Sequence, residues 1–159
     1  MDTGSQAAVK TPAKEDTMGK RYPSDEWIKE LERVCNEDPE FRDACGDFSG
    51  KFVLQIEAEP GKLDKTAYLF FWADQGKARE CCALSSLDER PDAEYVITGK
   101  YSVWKEMVRA KLEPLRGLMT RKIKLVKGSQ LKLLKQVRLT LKLMNNCTKI
   151  DTEFPDEPS

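Results

Sequence analysis

The sequence predicts an α+β fold in which a five-stranded, mostly antiparallel sheet is covered on one face by helices. Segments that alternate between apolar and polar residues, or that are apolar throughout, are grouped within residues 51–99. Segments with helical apolar spacing lie before and after this group, and one more alternating segment, residues 121–128, interrupts the later helices. Strands that are grouped together, with helices at both ends, are typical of α+β domains.

The first predicted helix begins at Ser24, where a helix-capping residue is followed by two acidic residues. Ile28, Leu31 and Val34 then recur at helical spacing. Pro39 either ends this helix or begins a second short one.

Four strands are predicted next. Residues 51–59 alternate, with Phe52, Leu54 and Ile56 on one face, whereas residues 66–74 are apolar on both faces. Residues 78–86 complete an antiparallel meander, and residues 92–99 form the fourth strand.

The C-terminal half begins with a helix over residues 100–112 and a short helix over residues 113–119, in which Pro114 occupies the first turn. Residues 121–128 alternate and predict the fifth strand. Residues 129–146 predict one long amphipathic helix capped by Ser129. Its expected apolar stripe consists of Leu131, Leu134, Val137, Leu141 and Met144, opposite Lys132, Lys135, Arg138 and Lys142.

These elements predict a single domain over residues 23–148, between a disordered tail over residues 1–22 and an acidic tail over residues 149–159. The N-terminal segment lacks the apolar core of a secretory signal, which favours a cytoplasmic protein. The odd number of cysteines, with no CxxC spacing, agrees with a reducing compartment.

Charge is distributed unevenly although the net charge is zero. Residues 1–99 contain 13 basic and 21 acidic side chains, and residues 100–159 contain 14 and 6, so the halves carry −8 and +8. The basic half therefore predicts a surface for an anionic partner, including a membrane.

The absence of histidine excludes Ser-His and Cys-His catalytic pairs and histidine-based metal sites. We expect no cofactor, no metal and no catalytic residue. An enzyme that uses Cys81 or Cys82 is an alternative, but buried packing is the simpler interpretation of both thiols. The aromatic run at residues 68–72 lacks the interleaved basic and glycine residues of an RNA-binding strand, so no nucleic-acid partner is expected.

Residues 95–136, YVITGKYSVWKEMVRAKLEPLRGLMTRKIKLVKGSQLKLLKQ, resemble the SCP-2 sterol-transfer family. The family pattern is a strand ending near a glycine, a short helix, Leu-x-Pro leading to a Met, a basic strand and a glycine. Val96 to Gly99, Leu112 to Pro114, Met119, Lys122 to Lys127 and Gly128 match it. Arg121 departs from the pattern, because the family usually has glycine there, and the departure concerns the turn at residues 120–122.

This resemblance implies an internal apolar tunnel that binds a fatty acyl chain, acyl-CoA, a sterol or a phospholipid, and a protein without enzymatic activity. The face assignments predict the residues lining the tunnel: Phe52, Leu54, Ile56, Tyr68, Phe70, Trp72, Trp104, Met107, Val108, Leu112, Leu115, Leu118, Met119, Leu134, Val137 and Leu141. Arg116, Lys132, Lys135 and Arg138 are predicted to contact headgroups at a membrane surface, and Lys122, Lys124 and Lys127 to remain in water.

A second hypothesis is an accessory module with the same fold and a closed core, which docks a partner protein through its basic C-terminal half. The sequence also leaves open whether the chain forms a homodimer.

Overall fold

A computed structural model describes residues 19–158. Its helices are α1 (Asp25–Asn36), α2 (Pro39–Cys45), α3 (Tyr101–Val108), α4 (Pro114–Met119), α5 (Gln130–Leu134) and α6 (Val137–Cys147). Its strands are β1 (Lys20–Arg21), β2 (Ser49–Glu57), β3 (Ala67–Asp74), β4 (Lys77–Leu84), β5 (Tyr95–Lys100), β6 (Ile123–Lys127) and β7 (Thr152–Glu153).

The main sheet has five strands in the order β4-β3-β2-β5-β6. Only β2 and β5 run parallel, because the chain leaves β4 at one edge and returns on the other side of β2. The remaining pairs are antiparallel, so the predicted α+β fold with a mostly antiparallel sheet is confirmed. Among the described helices, none is both long and apolar enough to cross a bilayer.

Local capping explains where the first helices begin. The Ser24 side chain accepts a hydrogen bond of 3.0 Å from the Trp27 backbone N–H and so caps α1. Pro39 begins the separate helix α2, and the Asp38 side chain accepts from the Glu40 backbone N–H at 3.0 Å. The proline therefore starts a second helix after α1 has ended.

The sheet packs on both faces, but the two faces are covered differently. Leu69 and Phe71 of β3 join the main core beneath the helices. Phe70 points the other way and packs with Val53 and Val96 in a smaller cluster. The guanidinium of Arg90 lies 3.8 Å from the centre of the Phe70 ring, so the loop between β4 and β5 covers this second face.

The long helix predicted over residues 129–146 is two helices, separated at Lys135 and Gln136. Leu133 and Leu139 are the fully buried leucines of this region, whereas Leu131 and Val137 are 67% and 41% exposed. Apolar residues occur here at nearly every second position, so two different helical stripes fit the sequence equally well. The break between α5 and α6 places the stripe through Leu139 on the core.

The C-terminal segment differs from the expected tail because it packs against the domain. The short strands β1 and β7 pair in parallel. Phe154 is buried, with its ring 5.9 Å from that of Tyr22, which is itself buried. Ile150 and Phe154 are isolated apolar residues in a polar segment, so no apolar periodicity predicts their burial. Residues 1–18 of the expected N-terminal tail, and Ser159, lie outside the described residues.

Candidate functional site: an apolar pocket beneath the helices

A pocket lies between the helix-covered face of the sheet and helices α1 and α3 to α6. Strand alternation builds its floor, since residues at every second position face the same side. In the ladder, Leu54 of β2 is opposite Leu69 of β3 and Ile97 of β5, and all three line the pocket. Phe52 and Phe71 form the next paired row of the floor.

The helices form the rest of the wall. Trp104, Met107 and Val108 of α3 recur at helical spacing and face the pocket together. The further lining side chains are Tyr22, Trp27, Leu31, Pro114, Leu115, Leu118, Ile123, Leu133, Gln136, Leu139, Thr140, Leu143, Met144 and Cys147.

The wall is almost entirely apolar. The polar atoms of its two indoles point away from the pocket. The Trp27 Nε1–H donates to Thr152 Oγ1 at 3.0 Å, and the Trp104 Nε1–H donates to the Gln55 carbonyl at 3.1 Å. Burial raises the pKa of the Tyr22 phenol well above its usual value, so this side chain is neutral. The pocket can therefore recognise apolar surface and offers no charged group to an enclosed ligand.

The volume of the pocket is about 130 Å³. A designed cavity of about 150 Å³ with a similar lining stays dry and binds benzene. An empty apolar void destabilises a protein by about 24 cal/mol per Å³, which for this pocket amounts to about 3 kcal/mol. A small apolar fragment fits without rearrangement, and a long chain requires the wall to open.

The mouth of the pocket lies along α6. Lining residues from β3, β5, α3 and α4 are nearly all buried. Most of the half-buried lining residues lie at or near α6, namely Gln136, Thr140, Leu143, Met144 and Cys147, and Leu54 and Pro114 are the others. Gln136 and Thr140 carry an amide and a hydroxyl group, so hydrogen-bonding groups are available at the mouth.

The structure places one part of the predicted tunnel lining in the pocket wall: Phe52, Leu54, Trp104, Met107, Val108, Leu115 and Leu118. Ile56 and Leu112 are buried in the main core without lining the pocket, and Leu134 packs against that core. Apolar pattern alone does not distinguish these two environments, because both select the same residue types.

Other predicted lining residues lie away from the pocket. Tyr68, Phe70 and Trp72 belong to the opposite face of the sheet, because β3 is apolar on both faces and the wrong face was assigned. Met119, Val137 and Leu141 are 72%, 41% and 37% exposed.

Sequence reasoning missed Leu69, Phe71, Ile97, Leu133, Leu139 and Leu143 as lining residues. Pairing β3 with the alternating strand β2 would have identified Leu69, because it faces Leu54 across the ladder. The involvement of Tyr22, which lies outside the predicted domain, had no sequence signal.

Three of the predicted headgroup contacts, Arg116, Lys132 and Lys135, are exposed. Arg138 is also exposed but lies 2.6 Å from Asp43, near α2.

Neither thiol of the adjacent pair is set up as a nucleophile. Burial raises the pKa of the Cys81 thiol far above its usual value, and it also raises that of Cys82. All five cysteines are free thiols. Within residues 19–158, no group of three or more acidic or thiol side chains is placed to hold a metal ion.

Comparison with known proteins places this architecture beside sterol carrier proteins. A crystal structure of sterol carrier protein 2 superposes with a TM-score of 0.71 at 23% identity, covering 80% of this chain and 97% of that one. A conserved hypothetical protein from Thermus thermophilus gives a TM-score of 0.72 at 22% identity, covering 83% and 91%. Sterol carrier protein domain 2 of Helicoverpa armigera gives 0.53 at 16% identity, covering 83% and 95%.

At these identities, the likeness to solved structures establishes the fold alone. No curated protein sequence matches the chain significantly. The sequence profile of the SCP-2 sterol transfer family, however, matches residues 28–143, which is most of the chain. The match includes the strands and helices that build the pocket, and the chain therefore belongs to the SCP-2 sterol transfer family.

Proposed function

We propose that this protein is a non-enzymatic cytoplasmic lipid carrier that holds the apolar part of its ligand in the pocket beneath the helices. The ligand class is a fatty acyl chain, acyl-CoA, a sterol or a phospholipid. Membership of the family and the fold support lipid binding in general. The single observation that carries the proposal is the apolar pocket of about 130 Å³ with the Gln136 amide and the Thr140 hydroxyl at its mouth.

Binding on this proposal is driven by burial of apolar surface. Each methylene group removed from water contributes about 0.8 kcal/mol, so burial of a long acyl chain contributes roughly 10 kcal/mol before the cost of ordering the ligand is subtracted. The polar end of the ligand would remain at the mouth near Gln136 and Thr140, because no charged side chain lines the pocket.

The half-buried residues of α6 suggest how a long chain is accommodated. Leu143 and Met144 are on the mouth side and are less tightly enclosed than the buried floor residues Leu69, Phe71 and Ile97. Methionine adapts its shape readily. An outward shift of α6 would therefore enlarge the pocket without disturbing the sheet.

The free thiols support the cytoplasmic location, since disulfides are rare in that compartment. The raised pKa values of Cys81 and Cys82 support a protein without thiol catalysis.

A filling substitution tests the pocket. Leu143→Trp adds volume to a lining position, and we expect it to stabilise the empty protein by about 1 kcal/mol while weakening the binding of a fluorescent fatty acid at least tenfold. Asn145→Trp, two residues away at an exposed position of α6 outside the pocket wall, is the matched control and should leave binding unchanged.

Protein purified from cells without detergent should also release lipid on extraction with organic solvent, detected by mass spectrometry. A protein that carries no lipid, and in which Leu143→Trp leaves fatty acid binding unchanged, would contradict the carrier. That outcome would favour the accessory module that docks a partner through its basic half.

A further inference from the structure

One continuous stretch of the chain contains no acidic residue. From Pro114 to Ile150 there are ten lysines and arginines and no aspartate or glutamate, giving a charge of +10. This stretch includes α4, β6, α5 and α6. This charge of +10 exceeds the +8 of the whole C-terminal half, because the acidic residues of that half lie outside the stretch.

The same stretch contains the strongly exposed large apolar side chains of residues 19–158. They are Met119, Val126, Leu131, Val137 and Leu141, with exposed fractions of 72%, 62%, 67%, 41% and 37%. Exposed apolar groups within a strongly cationic segment are unusual for a surface that faces only water.

Four of these side chains lie on the solvent side of helices that also line the pocket. On α6, the pocket-lining residues Thr140 and Met144 form one stripe with the preceding Gln136, and Val137 and Leu141 lie beside it on the solvent side. Met119 ends α4, which also carries the lining residue Leu118, and Leu131 is on the side of α5 that faces away from the lining residue Leu133. We call Met119, Leu131, Val137 and Leu141 the mouth surface; Val126 is on the edge strand β6 and is not part of it.

Cations accompany the mouth surface and are free to interact with a partner. Arg116 of α4, Lys132 of α5 and Lys135 after α5 are exposed and form no ion pair with any residue from 19 to 158. Arg138 and Lys142 lie on the other side of α6, where they pair with acidic residues around α2. The two exposed apolar side chains of α6, Val137 and Leu141, are thus separate both from its ion-paired cations and from its pocket-facing side chains.

We propose that the mouth surface is a docking site for an anionic lipid bilayer, which it contacts through inserted apolar side chains and through Arg116, Lys132 and Lys135. A bilayer supplies both anionic headgroups and an apolar interior within a few ångströms, the combination this surface complements. Docking in this orientation places the mouth of the pocket against the source of the ligand. The biological role of this docking rests on the proposed function as a lipid carrier. The docking itself can be measured without a ligand in the pocket.

Co-sedimentation with vesicles tests the proposal. We expect binding to vesicles of phosphatidylcholine that contain about 30% phosphatidylserine, which model an anionic leaflet. Binding to vesicles of pure phosphatidylcholine should be weak. Binding to the anionic vesicles should weaken as the salt concentration is raised. Each cation near an anionic surface contributes about fivefold to partitioning, so Lys132→Gln with Lys135→Gln should weaken binding about 30-fold. Lys62→Gln with Lys65→Gln removes the same charge from the exposed β2–β3 loop and should change it by less than about threefold.

The apolar contribution is tested separately by Met119→Gln with Leu131→Gln, which keeps the charge and should weaken vesicle binding about tenfold or more. Fatty acid binding without vesicles should stay intact in both this variant and the Lys132/Lys135 variant, because the four substituted side chains are outside the pocket wall. Failure of the carrier function would instead appear as lost fatty acid binding in the unmodified protein.

Two results would overturn the proposal. One is equal binding of these two variants and the loop variant to anionic vesicles. The other is retention on immobilised polyglutamate without binding to any vesicle, which would identify an acidic protein as the partner of this surface.

Discussion

Adjacent aromatic residues of β3 belong to different parts of the molecule. Phe71 lines the pocket beneath the helices, and Phe70 packs on the opposite face under Arg90. Both are almost fully buried, so burial alone does not separate a ligand-facing residue from a structural one.

This pair provides a test at the level of single residues. Phe71→Leu and Phe70→Leu should each destabilise the protein by about 1 to 2 kcal/mol, because each leaves a comparable void. Only Phe71→Leu should change the affinity for a fatty acid, since only that ring borders the pocket. Urea unfolding and fluorescent-ligand displacement measure the two effects, and equal affinities in both variants would contradict the assignment of Phe71 to the site.

A comparison of β2 with β3 shows which residues of the site the sequence could predict. On β2, the alternation predicts that Phe52 and Leu54 face the helices, because Gln55 and Glu57 lie on the other face. Leu69 and Phe71 were missed because β3 is apolar on both faces, and period-two alternation carries no information about such a strand. Only the pairing of β3 with β2 decides which side faces the helices.

At the level of elements, α6 is fastened to the domain by a partly buried ion pair. Lys142 Nζ lies 3.2 Å from a carboxylate oxygen of Asp38, and both side chains are largely buried. Burial alone would raise the pKa of Asp38, but the hydrogen bond from the Glu40 backbone N–H and the nearby Lys142 ammonium group outweigh it and hold the pKa below its usual value. Asp38 also caps α2, so one carboxylate positions two helices.

Removing the cation should therefore be costly. Lys142→Met leaves Asp38 buried without its main counter-charge, and we expect a loss of about 2 to 3 kcal/mol in the free energy of unfolding. Arg138→Met, which breaks the neighbouring but exposed pair with Asp43, is the control and should cost less than about 1 kcal/mol. Similar losses in the two variants would show that the Asp38–Lys142 pair has no special role in holding α6.

Helices were predicted with uneven success, for a physical reason. The first helix has a cap, an acidic first turn and one clear apolar stripe, and it begins where predicted. The last helix was predicted as one element because its apolar residues fit more than one stripe. Its division into α5 and α6 accompanies packing of α6 against the helices α1 to α4, which no local pattern encodes.

For the whole molecule, the partly unfilled pocket couples ligand binding to stability. A ligand at 100 times its dissociation constant stabilises the folded state by about 2.7 kcal/mol. In a protein of this size, that corresponds to a rise in melting temperature of about 5 to 10 °C. Differential scanning fluorimetry with palmitate should show this rise, octanoate should give a smaller one, and an unchanged melting temperature at saturating concentrations of every lipid class would contradict the carrier.

The C-terminal segment gives the chain's last residues a place in the architecture. Asp156 and Glu157 form ion pairs with Lys105 at 3.0 and 2.6 Å, and Glu157 also pairs with Arg109 at 2.6 Å. Phe154, just before them, covers Tyr22, whose other side borders the pocket. An affinity tag fused after Ser159 would thus follow closely on Phe154, which packs against the pocket-lining Tyr22. Lipid retention should therefore be compared between recombinant proteins that carry the tag at either terminus.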